Sequence, residues 1–375
     1  MYIKEFKLEK WLNPLVEDSK CKYNLGSSCV KPLTVEELFE VTGEDINKFL
    51  EEVRTMSLHY GHFFGLRRLL VAISKMYKEV TPEMVLTVHG GTGANNMVMT
   101  ELVEPKDNVV TIIPTYQQHY SIPESIGAEV RYLVLREEND YLPDLDELCR
   151  LVDKNTRMII LTNPNNPTGS YIKEDMLKEV AVIAENVGAY ILCDEIYRGL
   201  DDHYMTSIVD IYEKGIAISS TSKTFSMAGT RLGWIVTRDR ETYERLENRR
   251  SFDTICCGIF DELITAIAFE NYEKILCRSR KIVREGKEIV YEWLETQPYL
   301  SCKYESLGTT VFIKYDFDIP SDKLCMDLFE KTGVLLCYGD CFEIPHTFRL
   351  GYSFGELEKL KGGLKALGDY LANLK

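Results

Sequence analysis

No uncharged run in the 375-residue chain approaches the ~20 residues that a membrane-spanning helix needs. The opening MYIKEFKLEKW carries too many charges for a signal peptide, so a cytoplasmic location is the expectation. Eleven cysteines are present, yet no Cys-x-x-Cys pair occurs and their spacing is irregular. Cys256 and Cys257 are adjacent, which suits neither a zinc knuckle nor an easy bridge. Free thiols in a reducing compartment are expected, and no metal site. Positive charge is also scarce: 44 lysines and arginines face 59 aspartates and glutamates, for a net charge of −15. Such a surface repels nucleic acid and anionic membranes, so neither is an expected partner. No basic helix-turn-helix segment precedes residue 60, which argues against a DNA-binding regulator built on an enzyme-like domain. A complete G-x-G-x-x-G is missing, which disfavours a nicotinamide dinucleotide.

What is present is a globular composition, 45% hydrophobic and 27% charged, over a length that accommodates one large core and a smaller one. Short apolar runs alternate with helical patterns through the middle of the chain, predicting an α/β fold with a mainly parallel sheet. The candidate strands are MVLTVHG (84–90), NVVTIIP (108–114), EVRYLVL (129–135), RMIILTN (157–163), AYILCDE (189–195), IAISSTS (216–222) and LGWIVTR (232–238). Several are rich in Val and Ile without alternation, as strands covered on both faces are. EDMLKEVAVIAENVG (174–188) reads as a helix closed by glycine. Beyond about residue 255 a long helical stretch with a solvated charged face spans 258–297. Strands follow at 309–317 and 333–339, then a closing helix from Leu357 to Asn373. The first forty-odd residues read as extended and irregular. The expected plan is an N-terminal segment (1–45) joining a C-terminal small domain (271–375), with a large domain (46–270) between them.

SSTSKTFSMAGTRLGW (219–234) gathers one amine, several hydroxyls and one guanidinium. Lys223 follows a predicted strand, and a lysine in a cleft can attack a carbonyl, although most lysines only solubilise a surface. Ser220, Ser222 and Arg231 together form a phosphate-binding set. GGTGANN (90–96) follows a strand and precedes a helical run, so its backbone amides could face an anion. Asp194 ends a strand in CDEIY, where a carboxylate either pairs with a ring nitrogen or caps a helix; Tyr197 lies three residues on. TNPNNPTG (162–169) is a turn-rich loop that offers Asn166 as an amide donor. Polar groups thus stand at the carboxyl ends of several strands, where open parallel sheets bind ligands. A phosphate-bearing aromatic ring with a reactive aldehyde uses all of them, and that description fits pyridoxal 5′-phosphate.

SSTSKTFSMAGTRLGW resembles the lysine motif of the fold-type I, class I/II aminotransferases, approximately S-x-S-K-x-F-x-x-x-G-x-R-x-G. TNPNNPTG, DEIY and TGANN are similar to that family's other cofactor motifs and stand in its order. The likeness runs from about Tyr60 to Arg349. It implies a large domain with a mainly parallel seven-stranded sheet plus a smaller α+β domain. It further implies a covalent aldimine between pyridoxal 5′-phosphate and Lys223, with Asp194 on the pyridinium nitrogen and Tyr197 and Asn166 on the phenolic oxygen. Ser220, Ser222, Arg231 and the backbone of Gly93, Ala94 and Asn95 would hold the phosphate. Tyr116, in PTYQQHY, would stack on the ring, or else be a plain core aromatic. Tyr60 would reach the phosphate of a neighbouring subunit, making the active form a homodimer with shared active sites. Arg349, in TFRLGYS, would receive the substrate carboxylate.

The implied reaction is a ping-pong transfer of an amino group between an L-amino acid and a 2-oxo acid. The motifs fix the cofactor, not the bond that breaks, so elimination at the β or γ carbon, as in C–S lyases, stays open. One departure bears on this choice. The G-x-P-D-like segment of many relatives is absent, and YNLGSSCVKP (23–32) stands in that region, with Gly26, Ser27 and Ser28 as candidate substrate contacts. The segment resembles the capreomycidine synthase branch of the family, which eliminates water and cyclises.

Overall fold

The computed structural model describes residues 2–374. Seven strands build the large sheet: β1 (Val85–His89), β2 (Asn108–Ile113), β3 (Glu129–Val134), β4 (Thr156–Thr162), β5 (Tyr190–Asp194), β6 (Gly215–Ser220) and β7 (Leu232–Thr237). Their spatial order is β1-β7-β6-β5-β4-β2-β3. All run in one direction except β7, which is antiparallel to both neighbours. Each of the seven strands expected here, from 84–90 to 232–238, is found close to its expected limits.

Pleating sorts the side chains of these strands into two cores. Val110 and Ile112 of β2, Ile159 and Leu161 of β4, and Ile191 and Cys193 of β5 enter one. Val109, Met158, Ile160 and Leu192 enter the other. Burying one such aliphatic side chain is worth about 1.5–3 kcal/mol, so uninterrupted Val/Ile runs settle in the middle of a sheet covered on both faces. The Glu174–Glu185 helix supplies part of that cover through Leu177, Val180 and Ala184.

A second sheet contains β8 (Leu300–Ser301), β9 (Thr310–Tyr315), β10 (Cys337–Tyr338) and β11 (Thr347–Gly351) in the order β10-β11-β9-β8, antiparallel throughout. The helices Tyr272–Glu295, Ser321–Thr332 and Leu357–Ala372 close over it around Val290, Leu328 and Leu367. The architecture is therefore α/β, a mostly parallel seven-stranded sheet with helices, joined to a smaller α+β unit.

Several stretches depart from the sequence reading. The N-terminal region is not irregular: it holds the helices Lys7–Val16 and Val35–Thr42. Tertiary docking fixes the first despite Pro14 within it, through buried Leu8 and the Trp11 indole N–H bonded to the Leu336 carbonyl at 2.7 Å. A reciprocal capping box of Thr34 and Glu37 starts the second. The stretch 258–297 is two helices, Ile259–Glu270 and Tyr272–Glu295, interrupted at Asn271, whose ψ of 25° leaves the helical range. GVLLCYG is divided: Val334–Leu335 pairs with Tyr23–Asn24, and Cys337–Tyr338 joins the small sheet. Strand β11, with Arg349 at its centre, was not foreseen.

The carboxyl ends of β1, β4, β5 and β6 share one edge, and β7, running the other way, begins there. His89 faces Leu232, Ser220 faces Gly233 and Thr162 faces Asp194 across the ladders. Among the described residues no helix is long and apolar enough to cross a membrane.

Candidate active site

A cavity of about 490 Å³ opens at this edge, a size suited to a small-molecule site. It brings together Lys223, Asp194, Tyr197, Asn166, Tyr116, Arg231 and Arg349 from distant parts of the chain. Ser222, Asn95, Ser27 and Ser28 also border it.

Lys223 stands just beyond β6 on a turn tied by its own hydroxyls. Ser220 Oγ accepts the Ser222 amide at 3.2 Å, and Thr221 Oγ1 meets Thr230 Oγ1 at 2.9 Å. The lysine Nζ donates to Ser28 Oγ at 3.0 Å and lies 3.5 Å from Cys29 Sγ. Burial works against the charged amine, while Cys29 and Tyr197 favour it, and the balance raises the amine above the ordinary lysine value.

Asp194, only 5% exposed, is held at the end of β5 by neutral donors. The Asn95 amide donates to Oδ2 at 2.8 Å, and the Ile196 N–H donates to Oδ1 at 3.2 Å. His119 lies fully buried behind it, Nε2 3.5 Å from Oδ2, with Nδ1 2.9 Å from Thr115 Oγ1. No lysine or arginine pairs with Asp194 among the described residues, so its charge remains available to a protonated ring nitrogen in the cavity.

The phosphate-shaped element is the start of the Gly90–Leu102 helix, directly after β1. The first amides of a helix have no intrahelical acceptor and favour an anion. Here they belong to Gly90, Gly91 and Thr92, and the last two border the cavity. This corrects the expectation for Gly93, Ala94 and the Asn95 backbone. The helix starts earlier than the glycine run suggested, so those amides lie inside the i→i−4 ladder. Asn95 enters the site through its side chain instead. Gly90 stands at φ +68°, where a side chain is strained, and an added Cβ would sit 2.7 Å from Arg231 Nη2. That contact seats the guanidinium beside the helix terminus, where Nη1 donates to the Ala228 carbonyl at 3.0 Å and lies 3.5 Å from Ser222 Oγ. Ser220, fully buried, supports the turn and does not border the cavity.

Arg349 is 1% exposed, yet no carboxylate lies within ion-pair distance of it among the described residues. Nη1 donates to Asn166 Oδ1 at 2.8 Å, Nη2 donates to the Gly26 carbonyl at 2.6 Å and lies 3.1 Å from Cys337 Sγ, and Nε has no partner. A buried cation without a counter-charge is costly by several kcal/mol in order of magnitude, which points to an anionic ligand. The bond to Asn166 also orients that amide, leaving its NH₂ as the free donor. Gly26 stands behind Arg349: its carbonyl holds the guanidinium, and an added Cβ would meet Leu12 at 2.9 Å. Tyr60 is 62% exposed and lies away from the cavity within this chain.

Some residues in the wall or directly behind it carried no sequence signal. His119 was hidden in PTYQQHY, and Cys29 beside Ser28. Phe6, Glu9 and Leu12 come from the unforeseen N-terminal helix. Tyr116 donates its phenol to Glu9 Oε1 at 2.9 Å, and burial, then Glu9, raises that phenol well above its ordinary value. The eleven cysteines are all free, and no metal-binding cluster is found among the described residues. An amine, an isolated carboxylate, helix-terminal amides with an arginine, and a second buried arginine fit a phosphorylated pyridine aldehyde and a carboxylate beside it.

The profile described as "Aminotransferase class I and II" matches residues 22–367. Capreomycidine synthase of Streptomyces vinaceus is 26% identical over 97% of this chain and 93% of its own length. Aspartate aminotransferase of Pyrococcus horikoshii is 30% identical over 76% of this chain and 75% of its own. A crystal structure of a PLP-dependent aminotransferase from Streptococcus suis superposes with a TM-score of 0.96 at 38% identity, covering 100% of this chain and 99% of that one.

Proposed function

The chain belongs to the class I and II aminotransferases, a family of pyridoxal-phosphate enzymes, and from that premise we propose that it moves an amino group between an L-amino acid and a 2-oxo acid in two half-reactions. The observation that carries this reading is Arg349, a buried guanidinium with no carboxylate partner that opens into the cavity shared by Lys223 and Asp194.

When bound, the cofactor supplies an aldehyde for the substrate amine and a ring that accepts electron density from the α-carbon. Lys223 would hold it covalently through Nζ. Asp194, oriented by Asn95, keeps the ring nitrogen protonated. Tyr197 and the free NH₂ of Asn166 donate to the phenolic oxygen, and Tyr116 covers one face of the ring. Gly91 and Thr92 amides, Ser222 and Arg231 hold the phosphate, and Ser220 shapes the turn below. Arg349 clamps the substrate carboxylate and so fixes which bond at the α-carbon stands over Lys223. Lys223 Nζ would take the α-proton as a base and return it as an acid. Ser27 and Ser28 face the substrate.

The active form is a homodimer. Leu58, Tyr60, Phe63 and Phe64, with Phe252 and Phe260, are all large apolar side chains left exposed, which supports a face that meets a second copy. The partner subunit's Tyr60 completes the phosphate site. Eleven unpaired thiols suit a reducing cytoplasm.

A second reading, elimination or cyclisation, is favoured by the near full-length alignment with capreomycidine synthase. A panel of amino donors with 2-oxoglutarate or pyruvate separates the two. Product that requires the acceptor supports transfer; ammonia or a cyclic product from one amino acid alone supports the second reading.

A further inference from the structure

The cavity wall carries five charged side chains at its working surface: Lys223, Arg231, Arg349, Asp194 and Glu9. Four have roles in the reading above. Glu9 has none, and its setting is built rather than incidental. It lies on the Lys7–Val16 helix, which is anchored on both sides of it. The Lys7 amide donates to Gln117 Oε1 at 2.8 Å, Gln117 donates back to the Glu5 carbonyl at 2.8 Å, and Phe6 packs on Tyr116 with ring centroids 5.0 Å apart. Buried Leu8 and the Trp11–Leu336 bond fix the following turn. Lys7 and Lys10, the nearest cations in sequence, are engaged by Glu343 and Glu5. Among the described residues no cation lies within ion-pair distance of Glu9; its one bond is the phenol donated by Tyr116 to Oε1 at 2.9 Å.

The wall therefore holds an unpaired guanidinium, suited to an α-carboxylate, and a separate unpaired carboxylate with no part in binding the cofactor. Among the described residues it has no further cation to receive a second carboxylate. We propose that the substrate is an amino acid whose side chain ends in a cation, an ammonium or a guanidinium, and that Glu9 is its specificity-determining residue, reading that cation while Arg349 reads the carboxylate. A charge-assisted bond in a half-enclosed site is the strong kind, and Oε2 of Glu9 is free to accept it. This inference rests on the pyridoxal-phosphate reading of the cavity, but not on which bond breaks there.

The test uses the holoenzyme in two assays. The first is calorimetric binding of 5-guanidinopentanoate, which has both charges and no α-amine, against hexanoate and adipate. Wild type is expected to bind the guanidino acid at least about tenfold more tightly than either. Glu9→Gln is expected to remove that advantage, and Glu9→Lys to transfer it to adipate. The second is the first half-reaction with L-arginine, L-ornithine, L-norleucine and L-glutamate. The ratio of kcat/KM for arginine or ornithine to that for norleucine is expected to fall about tenfold or more in Glu9→Gln. Two results overturn the proposal: wild type preferring hexanoate or adipate, or Glu9→Gln slowing norleucine as much as arginine, which would mean that Glu9 only positions Tyr116. If the guanidino acid binds as expected while no amino acid transfers its amine to an acceptor, the substrate class stands and the transfer reading falls.

Discussion

Arg349 and Asn166 form one unit: Nη1 of the guanidinium donates to Oδ1 of the amide at 2.8 Å, so a residue on β11 of the small sheet orients a residue in the loop after β4 of the large one. The residue proposed to clamp the substrate and the residue proposed to donate to the cofactor's phenolic oxygen are thereby linked. Arg349→Lys keeps a charge but loses the fork that reaches both Asn166 and Gly26. It is expected to lower kcat/KM by roughly 10–100-fold, the equivalent of about 1.5–3 kcal/mol for hydrogen bonds to a charged group. The cofactor should remain bound, which its absorbance in the purified variant checks.

Asp194 is held by Asn95 and Ile196, with no lysine or arginine paired to it among the described residues. Asp194→Ala is expected to bind the cofactor but to slow exchange of the α-hydrogen for deuterium by roughly 10²-fold, about 3 kcal/mol of lost carbanion stabilisation. Proton NMR of an amino donor in D₂O reads that exchange directly.

Gly90 combines φ +68° with an Arg231 guanidinium where its side chain would stand. Gly90→Ala is expected to lower stability by about 1–3 kcal/mol and to push Arg231 from the helix terminus. Thermal melts with and without added cofactor check both effects: the melting temperature falls, and the shift produced by the cofactor shrinks.

The parts legible in the sequence were those with a local cause. Val109 to Ile113 announce a doubly covered strand because all but Thr111 are Val or Ile, and Lys223, Asp194 and Asn166 stand in compact motifs at strand ends. The parts missed depend on contacts between distant residues. The Gly90–Leu102 helix begins inside a glycine run that argues locally against a helix; the positive φ of Gly90 and the Arg231 guanidinium beside it favour glycine there, and the Gly90 backbone in turn leaves no room for a side chain at Gly233. KLEKWLNPLV reads poorly as a helix with Pro14 inside it, and its docking on Leu336 and Gln117 decides the matter. His119 and Glu9 belong to no motif, because each enters the site through a partner far along the chain.

Phe63 and Phe252, 51% and 83% exposed, belong to the apolar face assigned to a second copy. Phe63→Asp together with Phe252→Asp is expected to convert dimer to monomer in sedimentation velocity and to weaken cofactor retention, since the partner's Tyr60 is then lost. A wild-type chain that sediments as a monomer while fully active would remove that assignment.

Most directly, the account rests on one bond at Lys223. The holoenzyme reduced with borohydride and digested should yield the cofactor's mass on the peptide containing Lys223 and on no other, and Lys223→Ala should show neither that peptide adduct nor turnover. An unmodified Lys223 with the cofactor scattered over surface lysines, or a Lys223→Ala variant of near-normal activity, would contradict it.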